Sequence, residues 1–306
     1  ILSNPEFLAE GTAMRDLQVP DRIIIGGDNT KKGNEAIQSL VKIYSSWVPK
    51  KYILTTNLWS SELSKLTANA FLAQRISSIN SLSELCEETG ADIEEVSKAI
   101  GMVSRIGSSV LRPSVGFSGC CFQKDILNLV YISRSIGLEK VANYWEQVLT
   151  INEHQRDRFA KKIKSLISTE SLTTNVCILG WAFKKDTNDT RESAAIYVTD
   201  YLIKSNINLN VYDPKVKESQ IYFDLNYINS NDINNRKSVS VYNNPLDCIT
   251  NTNIIAILTE WDEFKDYDWK KIYNKMIKPA YIYDGRNILD KKKIESIGFN
   301  YIGLGR

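Results

Sequence analysis

The run Val176-Cys177-Ile178-Leu179-Gly180 is apolar up to its closing glycine, which is typical of a buried β-strand that ends in a tight turn. Further strand patterns follow at 208–213, 239–241, 254–258 and 281–284. Helical patterns lie between these strands, so the carboxyl-terminal part of the chain is predicted to form a doubly wound parallel sheet. Ligands of such sheets bind at the carboxyl ends of the strands. The Asn-rich segment 227–237 is predicted to be a surface loop.

The loop after the first of these strands is rich in basic residues. It reads Gly180-Trp181-Ala182-Phe183-Lys184-Lys185-Asp186, which is not the G-x-G-x-x-G fingerprint of a dinucleotide-binding turn. Lys184, Lys185 and Arg191 precede or open a predicted helix at 191–204, where positive charge suits a phosphate. Arg286 follows a later strand in the same way. Singly, each is an ordinary surface charge, whereas together at strand ends they indicate a phosphate-bearing ligand.

The chain before this sheet divides into two regions. Strand patterns at 22–27 and 52–56 enclose a helical pattern at 36–47, a βαβ unit that indicates the end of another α/β domain. Residues 59–168 lack a convincing strand and predict a helical middle domain. Asn4-Pro5 predicts a helix start, and a polar linker is predicted at 168–175. The predicted domains are 1–57, 58–168 and 169–306.

A second unusual stretch, Gly116-Phe117-Ser118-Gly119-Cys120-Cys121-Phe122-Gln123-Lys124-Asp125, lies in the helical region. It predicts a helix that opens at the cysteines, with Cys121, Lys124 and Asp125 on one face. The helix N-terminus and Lys124 both favour the thiolate form of Cys121, the form that attacks carbon. The alternative is a helix cap after a glycine-rich turn, with the cysteines as small core residues. The stretch alone leaves both interpretations open.

Composition excludes several classes of function. A net charge of +2 with 24% charged residues gives no reason to propose nucleic acid or a membrane surface as a partner, and no apolar run is long enough to span a membrane. The five cysteines contain no Cys-x-x-Cys, so neither a disulfide framework nor a metal site is indicated, and a reducing cytosol fits best. His154 is the only histidine, and it is predicted on an exposed helix face together with its neighbours Asn152, Glu153, Gln155 and Arg156. Proton transfer is therefore expected to use Asp, Glu, Lys or Cys.

Four segments, in this order and spacing, resemble the UDP-glucose 6-dehydrogenase family. They are Asn4-Pro5-Glu6-Phe7-Leu8-Ala9-Glu10-Gly11, 60–80, 116–125 and 179–193, and the resemblance runs from the first residue to about Arg286. It is stronger to the animal-type enzymes than to related dehydrogenases of UDP-N-acetylmannosamine or GDP-mannose. Cys120 departs from the family pattern, in which a small residue without a thiol is usual.

The resemblance implies oxidation of UDP-glucose to UDP-glucuronate with two NAD⁺ and one water. Cys121 would be the nucleophile that forms a thiohemiacetal and then a thioester. Lys65 would handle the alcohol proton or stabilise an oxyanion, with Asn69 as a second donor. Asp125 would position or activate water, and Glu6 would act as the base for thioester hydrolysis. The assignment of each proton among Lys65, Asp125 and Glu6 stays open.

The resemblance also assigns the binding residues. It implies substrate contacts at Glu6, Phe7, Leu8, Ala9, Glu10, Lys65, Asn69, Arg105, Arg112, Ser114, Gly116, Phe117, Ser118, Phe183, Lys184 and Arg286. It implies contacts with NAD at Glu10, Cys121, Phe122, Gln123, Lys124 and Arg191.

The amino-terminal G-x-G-x-x-G unit that holds NAD⁺ in the family has no counterpart in this sequence. We therefore expect a fragment that lacks most of the NAD-binding domain, retains much of the sugar-nucleotide site and is inactive alone. One alternative is a non-catalytic UDP-sugar-binding and dimerisation module, since an apolar stripe on the helix from Lys65 suggests a homodimer or higher homo-oligomer. The other alternative is a dehydrogenase for UDP-N-acetylmannosamine or GDP-mannose. A short-chain dehydrogenase is disfavoured, because its Tyr267-x-x-x-Lys271 spacing lies late in the chain without a cofactor strand before it.

Overall fold

The computed structural model of the chain describes residues 1–167 and 175–306, so most of the predicted linker at 168–175 lies outside the described residues. The chain forms two compact units. The first unit comprises Ile1–Phe71 and Lys124–Trp145, and the second comprises Leu72–Gln123 and Glu146–Arg306. The boundary between them falls within three helices.

The elements in chain order are as follows. The strands are β1 (Leu2–Ser3), β2 (Ile23–Gly27), β3 (Ile53–Asn57), β4 (Asn175–Leu179), β5 (Asn208–Tyr212), β6 (Val239–Val241), β7 (Ile254–Ile257), β8 (Tyr281–Asp284) and β9 (Asn300–Gly303). The helices are α1 (Ala13–Gln18), α2 (Lys31–Tyr44), α3 (Leu58–Thr89), α4 (Ile93–Gly101), α5 (Cys120–Ser135), α6 (Glu139–Ser165), α7 (Ala194–Lys204), α8 (Glu218–Asn229), α9 (Asp232–Ser238), α10 (Pro245–Ile249), α11 (Trp269–Lys275) and α12 (Lys291–Ile297). Short 3-10 turns lie at Lys50–Tyr52 and Asp262–Lys265.

The first unit contains a three-stranded sheet in the order β1-β2-β3. β1 pairs with β2 in antiparallel fashion and β2 pairs with β3 in parallel, with α2 as the crossover. Ile23, Ile25, Ile37 and Val48 form its small core. Every residue of β2 is buried because both faces of the strand are covered. This confirms the predicted βαβ unit.

The second unit contains a six-stranded sheet in the order β6-β5-β4-β7-β8-β9, in which every neighbouring pair is parallel. The order reverses at β4, whose two neighbours are β5 and β7, so the carboxyl end of β4 is the topological switch point. The interior of β4 is fully buried, as its continuous apolar run predicts. The doubly wound sheet is therefore confirmed.

The described residues 58–167 contain helices and loops and no strand, which confirms a helical middle region. The predicted domain limits at 57/58 and 168/169 stay a prediction. Among residues 1–167 and 175–306, no helix combines the length and apolar character needed to cross a lipid bilayer.

The predicted helix start at Asn4-Pro5 is wrong. Residues 4–9 have no regular structure, and α1 begins at Ala13. The Asn4 side chain donates to the carbonyl of Ile24 (2.8 Å) and accepts from the hydroxyl of Tyr44 (2.7 Å), so tertiary contacts use the groups that would cap a helix.

Two further helices begin at other residues than predicted. α2 begins at Lys31, not at 36, because the Thr30 side chain caps it by accepting from the Gly33 N–H at 3.0 Å. α7 begins at Ala194, not at Arg191, because Glu192 adopts a left-handed conformation (φ 56°) that a helix cannot include. β9, which follows α12 in sequence, was not predicted.

Candidate functional site

Four of the predicted site residues of the first unit form two side-chain pairs. Lys65, on α3, places its Nζ 3.3 Å from Oε1 of Glu6. The other carboxylate oxygen of Glu6 accepts from the N–H of Leu8 at 2.6 Å, which fixes the carboxylate on its loop. The Lys65 side chain is 21% exposed and the Glu6 side chain is 59% exposed, so solvent reaches the pair mainly at the Glu6 carboxylate. An ammonium next to a carboxylate can hold or pass a proton.

The second pair is Asn69 and Asp125. The Asn69 amide donates to Oδ2 of Asp125 at 2.5 Å, although the two residues are distant in sequence. Asn69 lies one helical turn after Lys65 on α3, as the predicted spacing requires. Asp125 is 5% exposed, and burial of a carboxylate is sustained only with such a donor. The structure thus brings together four of the predicted catalytic residues as two pairs.

A cavity of about 330 Å³ in the first unit is lined by Glu6, Phe7, Leu8 and Ala9 among others. The Arg22 guanidinium lies 3.9 Å from the centre of the Phe7 ring, and Lys65 Nζ lies 5.4 Å from it. Both cations are attracted by the ring face. Arg22, just before β2, and Lys65, on α3, therefore contact the loop from Glu6 to Ala9 through the Phe7 ring. Residues of this loop line the cavity.

Cys120 and Cys121 open α5, as predicted, and both belong to the second unit. Cys121 is exposed and Cys120 is partly buried, with their sulfur atoms 4.0 Å apart. Because a sulfur must be accessible to react with a ligand, the exposure favours Cys121 over its neighbour. The alternative in which both cysteines are core residues does not fit an exposed Cys121.

The loop before these cysteines is held by buried polar side chains. Asn152, on α6, accepts from the N–H of Phe117 at 2.7 Å and donates to its carbonyl at 3.1 Å. The N–H of Ser114 donates to the Asn80 side chain (2.8 Å), and Gln155 donates to the Ser114 carbonyl (2.8 Å). Every polar group of the buried loop needs such a partner. Side chains of α3 and α6 therefore hold this loop by hydrogen bonds.

The same loop is joined to the loop after β4. The N–H of Gly119 donates to the carbonyl of Arg191 at 3.1 Å, and the N–H of Ala194 donates to the hydroxyl of Ser118 at 3.1 Å. A Cβ added at Gly119 would lie 3.4 Å from the Phe183 ring. The structure thus places the cysteine stretch beside the basic strand-end loop, which sequence spacing alone could not show.

Arg286 is a mostly buried basic residue that is held by several hydrogen bonds. Its side chain is 14% exposed, and its guanidinium donates to the carbonyls of Leu258 (2.8 Å) and Phe183 (3.1 Å). Its N–H donates to Asp284 (3.0 Å), a fully buried carboxylate. Burial raises the pKa of Asp284, opposed by N–H and hydroxyl donors from Leu289, Arg286, Tyr301 and Ile288. Arg286 therefore joins the ends of β7 and β8 to the loop after β4.

Most of the other predicted basic residues are more exposed than Arg286, namely Lys185, Arg191, Arg105 and Arg112. Lys184 lies 5.5 Å from the centre of the Phe183 ring. Lys185 pairs with Asp262 at 2.5 Å, which raises the pKa of this lysine. Arg191 pairs with Asp189 at 2.6 Å, and its side chain is 62% exposed. Arg105 and Arg112 are exposed on the loop between α4 and α5, and among the described contacts neither meets another predicted site residue.

Sequence reasoning missed the residues that hold the loops in place. Asn152, Gln155 and Arg156 were expected beside His154 on an exposed helix face, yet they are 1%, 2% and 6% exposed. His154 itself is exposed, as predicted, with Nε2 2.8 Å from a Glu84 carboxylate oxygen. The available signal was the spacing of Asn152, Gln155 and Arg156, which places three polar residues on one helix face that differs from that of His154.

Sequence models of three domains of one family match the chain. The NAD binding domain of the UDP-glucose/GDP-mannose dehydrogenase family matches residues 1–48, its central domain matches 59–154 and its UDP binding domain matches 177–291. The chain belongs to the UDP-glucose/GDP-mannose dehydrogenase family. The order of the three domains agrees with a βαβ unit, a helical region and a doubly wound sheet.

Similar proteins of this family come from distant organisms. UDP-glucose 6-dehydrogenase from Bos taurus is 52% identical over 309 residues, which cover 100% of this chain and 63% of the relative. The enzyme of the same name from Drosophila melanogaster is 54% identical and is covered to 65%. The chain therefore spans about two thirds of the length of these curated relatives.

Solved structures of the family agree with the fold. A UDP-glucose dehydrogenase from the hyperthermophilic archaeon Pyrobaculum islandicum superposes with a TM-score of 0.81 at 30% identity, over 99% of this chain and 63% of that chain. A UDP-D-ManNAc dehydrogenase from Pyrococcus horikoshii gives a TM-score of 0.77 at 25% identity, over 100% of this chain and 64% of that one.

Two of the six residues predicted to contact NAD carry a positive charge. Lys124 and Arg191 are both exposed cations, the first in the opening turns of α5 and the second before α7. Cations near helix N-termini attract phosphate groups. In the described part of the chain, no cluster of three or more His, Cys, Asp or Glu side chains could hold a metal ion.

Proposed function

We propose that the whole protein oxidises UDP-glucose to UDP-glucuronate in an NAD-dependent, four-electron reaction. The observation that carries the proposal is an exposed Cys121 on a stretch that is hydrogen-bonded to the basic loop after β4. A thiol nucleophile beside a loop suited to phosphate is what a nucleotide-bound aldehyde requires. Relatives named UDP-glucose 6-dehydrogenase at 52% and 54% identity favour this substrate.

The Cys121 sulfur provides covalent catalysis. The primary alcohol of the sugar first loses a hydride and a proton and becomes an aldehyde. The thiolate then adds to the aldehyde carbon while the aldehyde oxygen takes up a proton, which gives a thiohemiacetal. Loss of a second hydride and of that proton leaves a thioester. Attack by water breaks the carbon–sulfur bond, releases the carboxylate and restores the thiol. NAD, when bound, supplies the hydride acceptor for both oxidations.

Lys65 and Asn69 would stabilise the oxygen of the substrate. Their positions one turn apart on α3 aim an ammonium and an amide in the same direction. Such donors act most strongly on the negative charge that develops on an alkoxide or a tetrahedral intermediate. Once the Lys65 ammonium has given a proton to the Glu6 carboxylate, which lies 3.3 Å away, the neutral amine can take the alcohol proton.

Asp125 and Glu6 would manage the hydrolytic water. Asp125 lies one turn after Cys121 on α5 and is oriented by the Asn69 amide. A carboxylate held in this way can position a water near the thioester carbon. Glu6 remains solvent-facing and can accept the proton that this water releases. In this scheme Lys65 and Glu6 transfer protons, whereas Asp125 positions the water.

The proposal includes a homo-oligomer in a reducing, cytosolic setting. Large apolar side chains are exposed along α3, including Leu72, Leu82 and Leu85, of which Leu85 is 58% exposed. A series of exposed leucines on a long helix is typical of a helix–helix interface. The five cysteines contain no Cys-x-x-Cys and show no disulfide framework in their spacing, which suits a reducing compartment.

Comparison of three substrates tests the proposed function. The whole protein is given NAD⁺ with UDP-glucose, UDP-N-acetylmannosamine or GDP-mannose, and NADH is measured with the acid product. We expect two NADH per acid and a kcat/KM for UDP-glucose that is on the order of 10² times higher than for the others. A higher kcat/KM for UDP-N-acetylmannosamine or GDP-mannose would show that UDP-glucose is not the preferred substrate. Binding of UDP-glucose without NADH formation would support a non-catalytic UDP-sugar-binding module instead.

A further inference from the structure

Asp213 follows β5 at the carboxyl edge of the sheet in the second unit, next to the switch point. Its side chain is 7% exposed, and its Oδ2 accepts from the N–H groups of Trp181 (2.6 Å) and Ala182 (2.9 Å). The indole N–H of Trp261 donates to the same oxygen at 3.1 Å. The carboxylate therefore holds the first residues of the loop that carries Phe183 and Lys184.

The remaining oxygen of Asp213 is also in use. Its Oδ1 accepts from the N–H groups of Lys215 (2.8 Å) and Val216 (3.0 Å). A carboxylate offers about four acceptor positions, so donors from five N–H groups leave no capacity for a ligand. In dinucleotide-binding folds, an acidic residue near this position binds a ribose hydroxyl. Here the acidic side chain points into the protein and acts on the loop.

The carbonyl groups of the same loop have their own partners. The buried hydroxyl of Thr259 donates to the Ala182 carbonyl at 2.6 Å, and Arg286 donates to the Phe183 carbonyl at 3.1 Å. The Phe183 N–H donates to the Asp189 carbonyl at 3.0 Å. The loop is thus held on both sides, by Asp213 at its N–H groups and by Thr259 and Arg286 at its carbonyls.

We propose that Asp213 is a positioning residue for the nucleotide end of the substrate, because it fixes the loop that presents Phe183 and Lys184. This inference rests on the proposed function, in which these two residues contact the nucleotide sugar. Binding contacts made by a rigid loop lose no affinity to loop ordering. A loop released from Asp213 would have to be ordered by the ligand, and the affinity would fall.

The test compares UDP binding by three variants of the chain with that of the wild type, using calorimetry. Asp213→Asn replaces one oxygen with an amide that faces backbone N–H donors in either orientation. We expect its Kd for UDP to rise by roughly tenfold or more. Thr259→Val removes the hydroxyl but keeps the branched shape, and we expect a rise of several-fold.

Asp200→Asn is the matched control. Asp200, on α7, has a 13% exposed side chain and accepts from Lys204 (2.6 Å) and Asn229 (2.9 Å). Replacement of the Asp200 carboxylate should lower the thermal stability of the chain without changing the affinity for UDP. Hydrogen exchange of the segment 180–184 provides a second readout, and Asp213→Asn should accelerate exchange there while Asp200→Asn should not.

The UDP affinities and the exchange rates together decide whether Asp213 positions the loop. Weaker UDP binding by Asp213→Asn together with faster exchange at 180–184 supports the inference. A wild type that binds UDP and an Asp213→Asn variant that binds equally well would overturn the inference and leave the proposed function standing. Equal losses of affinity in Asp213→Asn and Asp200→Asn would also overturn it, because the effect would then reflect stability alone. A wild type that fails to bind UDP would overturn both.

Discussion

Cys120 and Cys121 are neighbours in the chain but differ in how far their side chains are exposed. They have the same side chain and adjacent places in the first turn of α5, and their sulfur atoms are 4.0 Å apart. Only Cys121 is exposed, whereas Cys120 is partly buried. Because adjacent helical residues point in directions that differ by about 100°, one turn of helix can present one sulfur to a ligand and withhold the other. The exposed sulfur coincides with the nucleophile that the family resemblance implies.

Cysteine replacement tests this distinction. In the whole protein, we expect Cys121→Ser to reduce formation of the acid by roughly 10³-fold or more, because a serine hydroxyl is a far weaker nucleophile than a thiolate at neutral pH. Cys120→Ser is the matched control and should keep most of the activity. Acid formation is measured by chromatography of the nucleotide sugars. Loss of activity in Cys120→Ser with retention in Cys121→Ser would identify Cys120 as the nucleophile.

The backbone conformation of the loop between α4 and α5 requires a glycine at position 116. Gly116 has φ 112°, a conformation that side chains rarely adopt, and a Cβ there would lie 2.6 Å from Oδ1 of Asn152. That oxygen is the acceptor for the N–H of Phe117. A side chain at Gly116 would therefore disturb both the local backbone and the hydrogen bond that orders the loop before Cys121.

Alanine substitution separates these two effects. Gly137 also has a positive φ (81°), but nothing lies within 4 Å of a Cβ added there. We expect Gly116→Ala to lower the free energy of unfolding by about 1–3 kcal/mol more than Gly137→Ala does, because only the former displaces Asn152. Urea denaturation measures both values. Equal losses would show that backbone strain alone accounts for the requirement for glycine.

Element types followed from the sequence more closely than element boundaries did. The continuous apolar runs predicted β2, β4, β7 and β8 because strands covered on both faces have no polar face to interrupt them. The segment 227–237, predicted as a surface loop, is mostly helical in α8 and α9. There the side chains of Asn226, Asn229 and Asn235 bond to one another, which satisfies residues that favour loops when they stand alone.

At the scale of the whole molecule, the second unit buries several tyrosines. Tyr283 stacks on Phe159 with ring centres 4.0 Å apart, and burial raises the pKa of its hydroxyl. Burial raises the pKa of Tyr197 to about 12, assisted by Glu192, and likewise that of Tyr212 to about 12, assisted by Glu263. Each of these hydroxyls keeps its proton in the folded chain at a pH where an unfolded chain would lose it.

Alkaline pH should therefore destabilise the fold. From pH 10 to 12 the unfolded state loses tyrosine protons that the folded state retains, so the free energy of unfolding falls as the pH rises. Well below pH 10 the tyrosines are protonated in both the folded and the unfolded state, so they no longer make the free energy of unfolding depend on pH. We expect Tyr283→Phe, which keeps the ring, to make the decline less steep, as measured by urea denaturation at several pH values. Tyr227→Phe is the control, since Tyr227 is 81% exposed, and it should leave the slope unchanged.

The sequence by itself determined the fold class, the helical middle and the family, because these depend on local periodicity and on motifs that lie within short segments. It also determined that Lys65 and Asn69 share a helix face, since that depends only on a spacing of four residues. Only the tertiary structure showed that Asn69 bonds to Asp125, that Asn152 holds the loop before Cys121, and that Asp213 holds the loop before Lys184. These contacts join residues far apart in the chain, and hydrogen bonds between such residues are decided by packing, which no local pattern records.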